Sequence, residues 1–173
     1  MSDLPEDQLR QRWLNHVLAL HKLELAAASA ALVAQHRAKK AEIEAEWLRR
    51  RERGFHPAEW HLPANGLFRG KAVPQGSLFR ALGYRVGASS PLNDDQRRWL
   101  LDEIVSCEMP PVASPSYMEE WGAPLTAIRL ERVIRSLRAF GSNAWASRKM
   151  ELAREAWLSD ARYLEEHWLV GSV

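Results

Sequence analysis

Four arginines recur at intervals of three, Arg129, Arg132, Arg135 and Arg138, within the stretch TAIRLERVIRSLRAF from Thr126 to Phe140. A guanidinium is permanently charged, and its planar fork of N–H donors grips a phosphate or carboxylate at two points. A row of such groups is therefore chemistry for holding an anion. Arg148 and Lys149 extend the row, and Arg49, Arg50, Arg51 and Arg53 form a second cluster. These ten cations are the candidate nucleic-acid-binding residues, with the phosphate backbone of DNA or RNA as the expected partner. The competing expectation is internal: Glu103, Glu108, Glu119, Glu120 or Glu155 neutralises the arginines within the fold. A spacing of three also spreads the four arginines around a helix, which suits a concave or wrapped partner better than a straight backbone.

Other chemistry is thinly represented. His56, Glu59 and His61 look superficially like metal ligands, but the histidines are five apart with Pro57 between them, unlike the i, i+4 pair of a zincin helix. No metal and no cofactor is expected. The glycines from Gly66 to Gly76 lack the lysine-hydroxyl pair of a phosphate loop. Ser89 and Ser90 lie in no nucleophile elbow, Cys107 has no histidine near it in sequence, and Asp94 with Asp95 is a pair suited to a helix start. No catalytic constellation is legible, and the chain is expected not to be an enzyme.

The elements that must carry the cations follow from periodicity. Leu130, Val133, Ile134, Leu137 and Phe140 fall on one arc of a helix and the arginines on the remainder, so one face is for a core and the other for something acidic. Thr126 is the expected N-cap, Leu125 and Leu130 a hydrophobic staple, and Phe140–Gly141 the end, with Asn143 capping a last helix to about Trp168. Asn93 followed by Gln96 has the pattern of a reciprocal cap for a helix through Ser106. Arg97 and Arg98 in its first turn oppose the helix dipole, which hints at an outside partner. Ser77 caps a short helix ending near Gly83.

Upstream, no proline or glycine interrupts the chain between Pro5 and Gly54. This predicts a continuous helix on the order of 70 Å long, although a turn around Ala28–Ala31 would also fit. Its seam runs through Trp13, Leu20, Ala27, Ala34, Ala41 and Leu48. Alanine buries little area, so such a seam must pack on another segment of the chain or on a second chain in a coiled coil. The basic last turn and Gly54 suit a helix end. Residues 54–76 read as irregular connection, because prolines and glycines punctuate them throughout.

Composition sets the class. The 173 residues are 46% hydrophobic and 27% charged, a globular balance, and their eight tryptophans belong mostly to cores. Net charge is only +2, but it is unevenly laid out. Between Arg129 and Lys149 six basic residues face one acidic, whereas Asp102, Glu103, Glu108, Glu119 and Glu120 form a block with no lysine or arginine. One cysteine excludes an intramolecular disulfide and fits a reducing compartment. With no apolar run of membrane-spanning length and no signal-peptide pattern, a cytoplasmic protein without membrane contact is expected.

The second half bears a resemblance. Leu82-Gly83-Tyr84-Arg85-Val86-Gly87, Arg97 with Leu100, Glu120-Trp121-Gly122, Arg129-Leu130, Asn143-Ala144, and Trp157 with Asp160 and Leu164 resemble a small uncharacterised helical module of bacterial proteins. The likeness spans about residues 77–168. It implies one folding unit joined to a variable arm and carries no activity.

The expected architecture is all-α: a long N-terminal helical arm (1–53), a linker (54–76) and a compact multi-helix domain (77–173). The expected function is that of a non-catalytic helical subunit or adaptor binding nucleic acid or a nucleoprotein complex through its arginine face. The alternative is a protein-protein assembly module that acts through residues 5–53, by a protein partner or self-association, without nucleic-acid contact.

Overall fold

The computed structural model describes residues 4–54, 60–61, 73–74, 77–87, 92–111, 115–143 and 150–169. The fold is all-helical: α1 (Glu6–Leu25), α2 (Ala30–Glu52), α3 (Leu78–Ala81), α4 (Asp94–Ser106), α5 (Pro115–Glu119), α6 (Ala127–Asn143) and α7 (Glu151–Leu164), the last continuing into a π-helical turn at Glu165–Leu169. Within the expected linker the described backbone forms only a two-residue antiparallel ladder, Trp60 opposite Pro74 and His61 opposite Val73. No helix among the described residues is long and apolar enough to cross a membrane. Cα packing divides the chain into two compact units, each discontinuous in sequence: Met1–Gly83 with Cys107–Glu120, and Tyr84–Ser106 with Trp121–Val173.

In the first unit the expected continuous helix is instead a helical hairpin. α1 stops at Leu25 because Ala27 adopts a left-handed φ of 47°. The amide of Ala28 then reaches back to the carbonyl of Leu23 (2.9 Å) and that of Ala27 to Glu24 (3.1 Å). This is a Schellman ending built on alanine where glycine is usual, which is why no residue type announced it. The left-handed conformation costs about 1–2 kcal/mol for a residue with a Cβ. What offsets it is burial: the fold-back lets Trp13 meet Trp47 with ring centroids 5.7 Å apart, both rings fully enclosed. Leu9, Val17, Leu20 and Ile43 complete the hairpin's core. The seam is thus satisfied within the chain at its bulky, tryptophan-bearing end.

In the second unit α6 packs along α7, and α4 contacts both. The α4 start is as expected: the Asn93 amide donates to Gln96 Oε1 (3.1 Å) and the Gln96 amide to Asn93 Oδ1 (2.9 Å). Thr126 caps α6, accepting from the Arg129 amide at 3.3 Å. Leu130, Val133, Ile134 and Leu137 are buried, so the apolar stripe stands.

Two local expectations fail there for identifiable reasons. Leu125 adopts a φ of 59° and donates its amide to Val105, which leaves its side chain 66% exposed and unable to staple Leu130. Gly141 does not end α6. It lies inside the helix, where a Cβ would come within 2.7 Å of Leu158 Cδ2, so the glycine serves close helix approach and Asn143 becomes the last helical residue.

Candidate functional site

The α6 arginines were expected to fan outward, and the structure gives them four different fates. Arg129 is 2% exposed. Its Nε donates to the Trp121 carbonyl (2.8 Å), Nη1 to Ile104 (3.1 Å) and Nη2 to Gly122 (2.6 Å). Ile104 lies in the last turns of α4, whose terminal carbonyls lack helical partners. Arg129 therefore ties the end of α4 to the segment that leads into α6. It is corrected from a phosphate ligand to a buried structural clasp.

Arg132 is half-buried, with its guanidinium 5.5 Å from the centroid of the Trp121 ring, a cation–π contact. Arg138 is ion-paired to Glu165, at 2.6 Å to Oε1 and 2.8 Å to Oε2. Arg135 is exposed and makes no ion pair among the described residues. Arg148 and Lys149 lie outside the described residues.

The α2 cluster is more completely occupied. Arg50 is 3% exposed and donates to Glu46 Oε1 (3.1 Å), Glu6 Oε2 (3.1 Å) and the Leu4 carbonyl (2.6 Å). Arg49 pairs with Glu46 Oε2 (3.0 Å), Arg53 with Glu46 Oε1 (3.2 Å) and Arg51 with Glu108 (2.5 Å). All four, expected at a phosphate, have carboxylate partners inside their own unit. Glu108, expected to meet the α6 arginines, instead pairs with Arg51 of α2; Glu46, Glu6 and Glu165 were not anticipated as partners.

The electrostatics match this geometry. Burial works to raise the Glu46 carboxyl, but hydrogen bonds from Arg50, Arg49 and Arg53 outweigh it and hold Glu46 below the usual range. Glu6 goes the other way: burial pushes it from 4.5 up to about 7, against the opposing charges of Arg50 and Arg10.

A second buried polar centre was not anticipated. Asp160, fully enclosed in α7, accepts from Tyr84 Oη (2.7 Å) and from Arg97 Nε (2.9 Å), while Arg97 Nη1 meets Asp94 at 3.0 Å. Burial, followed by the Asp160 charge, raises the Tyr84 hydroxyl well above its ordinary value. Arg97, though opposed by burial, is also raised by its bond to Asp160. The dipole mismatch at Arg97 and Arg98 is thereby resolved internally, since Arg98 reaches Ser159 Oγ (3.4 Å) and stacks 5.3 Å from the Tyr163 ring centroid.

Asp102 accepts from Tyr163 Oη (2.6 Å) and Trp168 Nε1 (2.8 Å). Burial, with the bond to Asp102, raises Tyr163. A signal for Asp160 existed: it sits on the helical face shared by Ala153, Trp157, Ala161 and Leu164, an acid on an apolar stripe. Glu46 and Arg50 show the same signal beside Ile43 and Trp47.

The chain matches no protein-family model, no curated protein and no solved structure. Its surfaces are therefore read on their own chemistry. Among the described residues, no group of three or more His, Cys, Asp or Glu side chains is placed to hold a metal. Cys107 is buried and in no disulfide. His56, Glu59 and the side chain of His61 lie outside the described residues, as do Ser89 and Ser90.

The remaining distinctive surface is the far end of the hairpin. From Lys22 to Glu42 no residue is buried, although this span holds eight alanines and Leu23, Leu25, Leu32 and Val33. Leu25 is 75% exposed and Leu32 39%. Arg37 pairs with Glu24 there (3.0 Å), and His36 meets the ring of His16 edge-on.

Proposed function

We propose that this protein is a non-catalytic helical assembly module that binds another protein, or a second copy of itself, through the open end of the α1–α2 hairpin. The observation that carries the reading is the contrast along the hairpin. One end is a fully packed tryptophan core, whereas the other presents alanine and leucine to solvent over two facing helix segments. Small residues permit close approach of a partner helix, and exposed Leu25 and Leu32 supply apolar area that gains by being covered.

The phosphate-binding reading has fewer cations to draw on than the sequence suggested, because Arg50 and Arg129 are buried and Arg49, Arg51, Arg53 and Arg138 are paired. The buried polar residues Tyr84, Arg97, Asp160 and Arg129 bond to one another, to Asp94 or to backbone, which supports a structural role for them.

The experiment is a pair of binding measurements on one set of proteins. Leu25→Glu combined with Leu32→Glu is expected to keep the helical circular-dichroism signal and to lose self-association in light scattering, or the partner that co-purifies with the wild type. Retention of the same assembly by the double variant overturns the reading. Salt-dependent duplex binding that disappears in Arg132→Glu/Arg135→Glu, with the hairpin variant unaffected, would install the nucleic-acid reading in its place.

A further inference from the structure

The hairpin also brings together two histidines twenty residues apart in sequence. His16 on α1 and His36 on α2 approach with Nδ1 to Nδ1 at 3.0 Å, their rings edge-on at 69° with centroids 5.1 Å apart. Both side chains are half-buried. Two Nδ1 atoms at this distance need one hydrogen between them: one nitrogen donates and the other accepts.

The same two nitrogens, with both rings neutral and that hydrogen gone, could share a metal ion seated to one side of the line that joins them. Two imidazole nitrogens at about 2.0 Å from one ion are about 2.8 Å apart at a square-planar right angle and about 3.3 Å apart at a tetrahedral one. The observed 3.0 Å lies between those values. We infer that His16 and His36 form a two-imidazole chelate across the α1–α2 hairpin for a divalent late transition ion, Cu2+ foremost, with water completing its coordination.

The surroundings of His16 favour its neutral ring. Burial lowers His16 below its ordinary value, and the charges of His36, Lys39 and Arg12 lower it further, so the ring offers a lone pair without an acid form to displace. Glu42, which takes Lys39 at 3.0 Å, is the acidic neighbour that favours positive charge at the pair. Cu2+ stands at the top of the divalent affinity order for nitrogen ligands, and two imidazoles with water make a tetragonal N,O set. An ion here links α1 to α2 near the uncovered half of the hairpin and so favours the closed hairpin over the unfolded chain. The inference does not depend on what the hairpin end binds.

The test uses the full chain without an affinity tag. Titration with Cu2+ should give one equivalent bound, a visible d–d band, and an electron-spin-resonance pattern showing two imidazole nitrogens. His16→Gln and His36→Gln should each weaken that equivalent by at least about 10–100-fold, the loss that even second-shell partners of a metal produce. The Tm of the wild type should rise with Cu2+ and that of the two variants should not. His56→Gln combined with His61→Gln should bind as the wild type does. The inference is overturned if either single variant binds Cu2+ like the wild type, if the double variant loses the equivalent, or if the wild-type spectrum shows fewer than two imidazole nitrogens. The spectrum reads the native protein and stands whether or not a variant folds.

Discussion

The two arginine-rich stretches look alike in sequence and are neutralised by different chemistry. At the end of α2, buried Arg50 is held by carboxylates, Glu46 and Glu6, and Glu46 also takes Arg49 and Arg53. At the start of α6, equally buried Arg129 is held by three backbone carbonyls. The first arrangement is an ion-pair network whose members depend on one another's charge. The second is a mechanical clasp in which the cation answers the unfilled acceptors of a helix end and a turn. A basic run in a sequence therefore does not say whether its charges face outward, pair with acids or close a loop.

The largest effect that separates the two is truncation. Arg50→Ala leaves two buried carboxylates short of their cation and should cost about 3–5 kcal/mol. Arg129→Ala leaves three carbonyls unsatisfied and should cost a similar amount, about 3–5 kcal/mol. The discriminating variants are the doubles. Glu6→Gln with Glu46→Gln should recover part of the Arg50→Ala loss in urea denaturation, whereas the same two substitutions should not recover Arg129→Ala. Equal recovery in both would erase the distinction.

A smaller effect concerns pH. Glu6 has a folded value of about 7, above its ordinary 4.5, so between those values the folded state holds a proton that the unfolded chain releases. Its contribution is therefore fully present below the lower value and is lost as pH rises through the upper one. Wild-type stability should fall by on the order of 2 kcal/mol relative to Glu6→Gln between about pH 5 and about pH 7.5. Glu46, held below its ordinary value, acts with the opposite sign: its contribution is lost as pH falls through its lowered folded value. A pH slope unchanged in Glu6→Gln would show that the α2 network is not protonated as described.

The smallest effect tests the turn that creates the α2 network. Ala27→Gly relieves the left-handed strain at φ 47° and should stabilise the protein by about 0.5–1 kcal/mol in thermal or urea melts. Loss of stability instead would place α1 and α2 on a continuous helix, and Glu6 could then not reach Arg50.

Much of the local structure was legible because it is written in neighbouring residues. The Asn93–Gln96 reciprocal cap, the Ser77 and Thr126 caps and the Leu130–Val133–Ile134–Leu137 stripe each depend on contacts within a few positions. The break at Ala26–Ser29 was not legible, since three alanines carry no conformational mark and the energy that bends them comes from tryptophans more than thirty residues apart. The same holds for the candidate site. Sequence spacing placed Arg132, Arg135 and Arg138 away from the apolar stripe, but it could not show that Arg129 would turn inward to the carbonyls of Ile104, Trp121 and Gly122.

The sequence by itself determined that the protein is helical, where α3, α4 and α6 begin, and where the apolar stripe of α6 lies. These are properties of short-range hydrogen bonding and helical periodicity. Tertiary structure alone decided that the first half folds back as a hairpin, that His16 meets His36, and that Arg50, Arg97 and Arg129 are interior. A charge is buried only where remote partners replace its water, and the identity of those partners is fixed by packing over long separations.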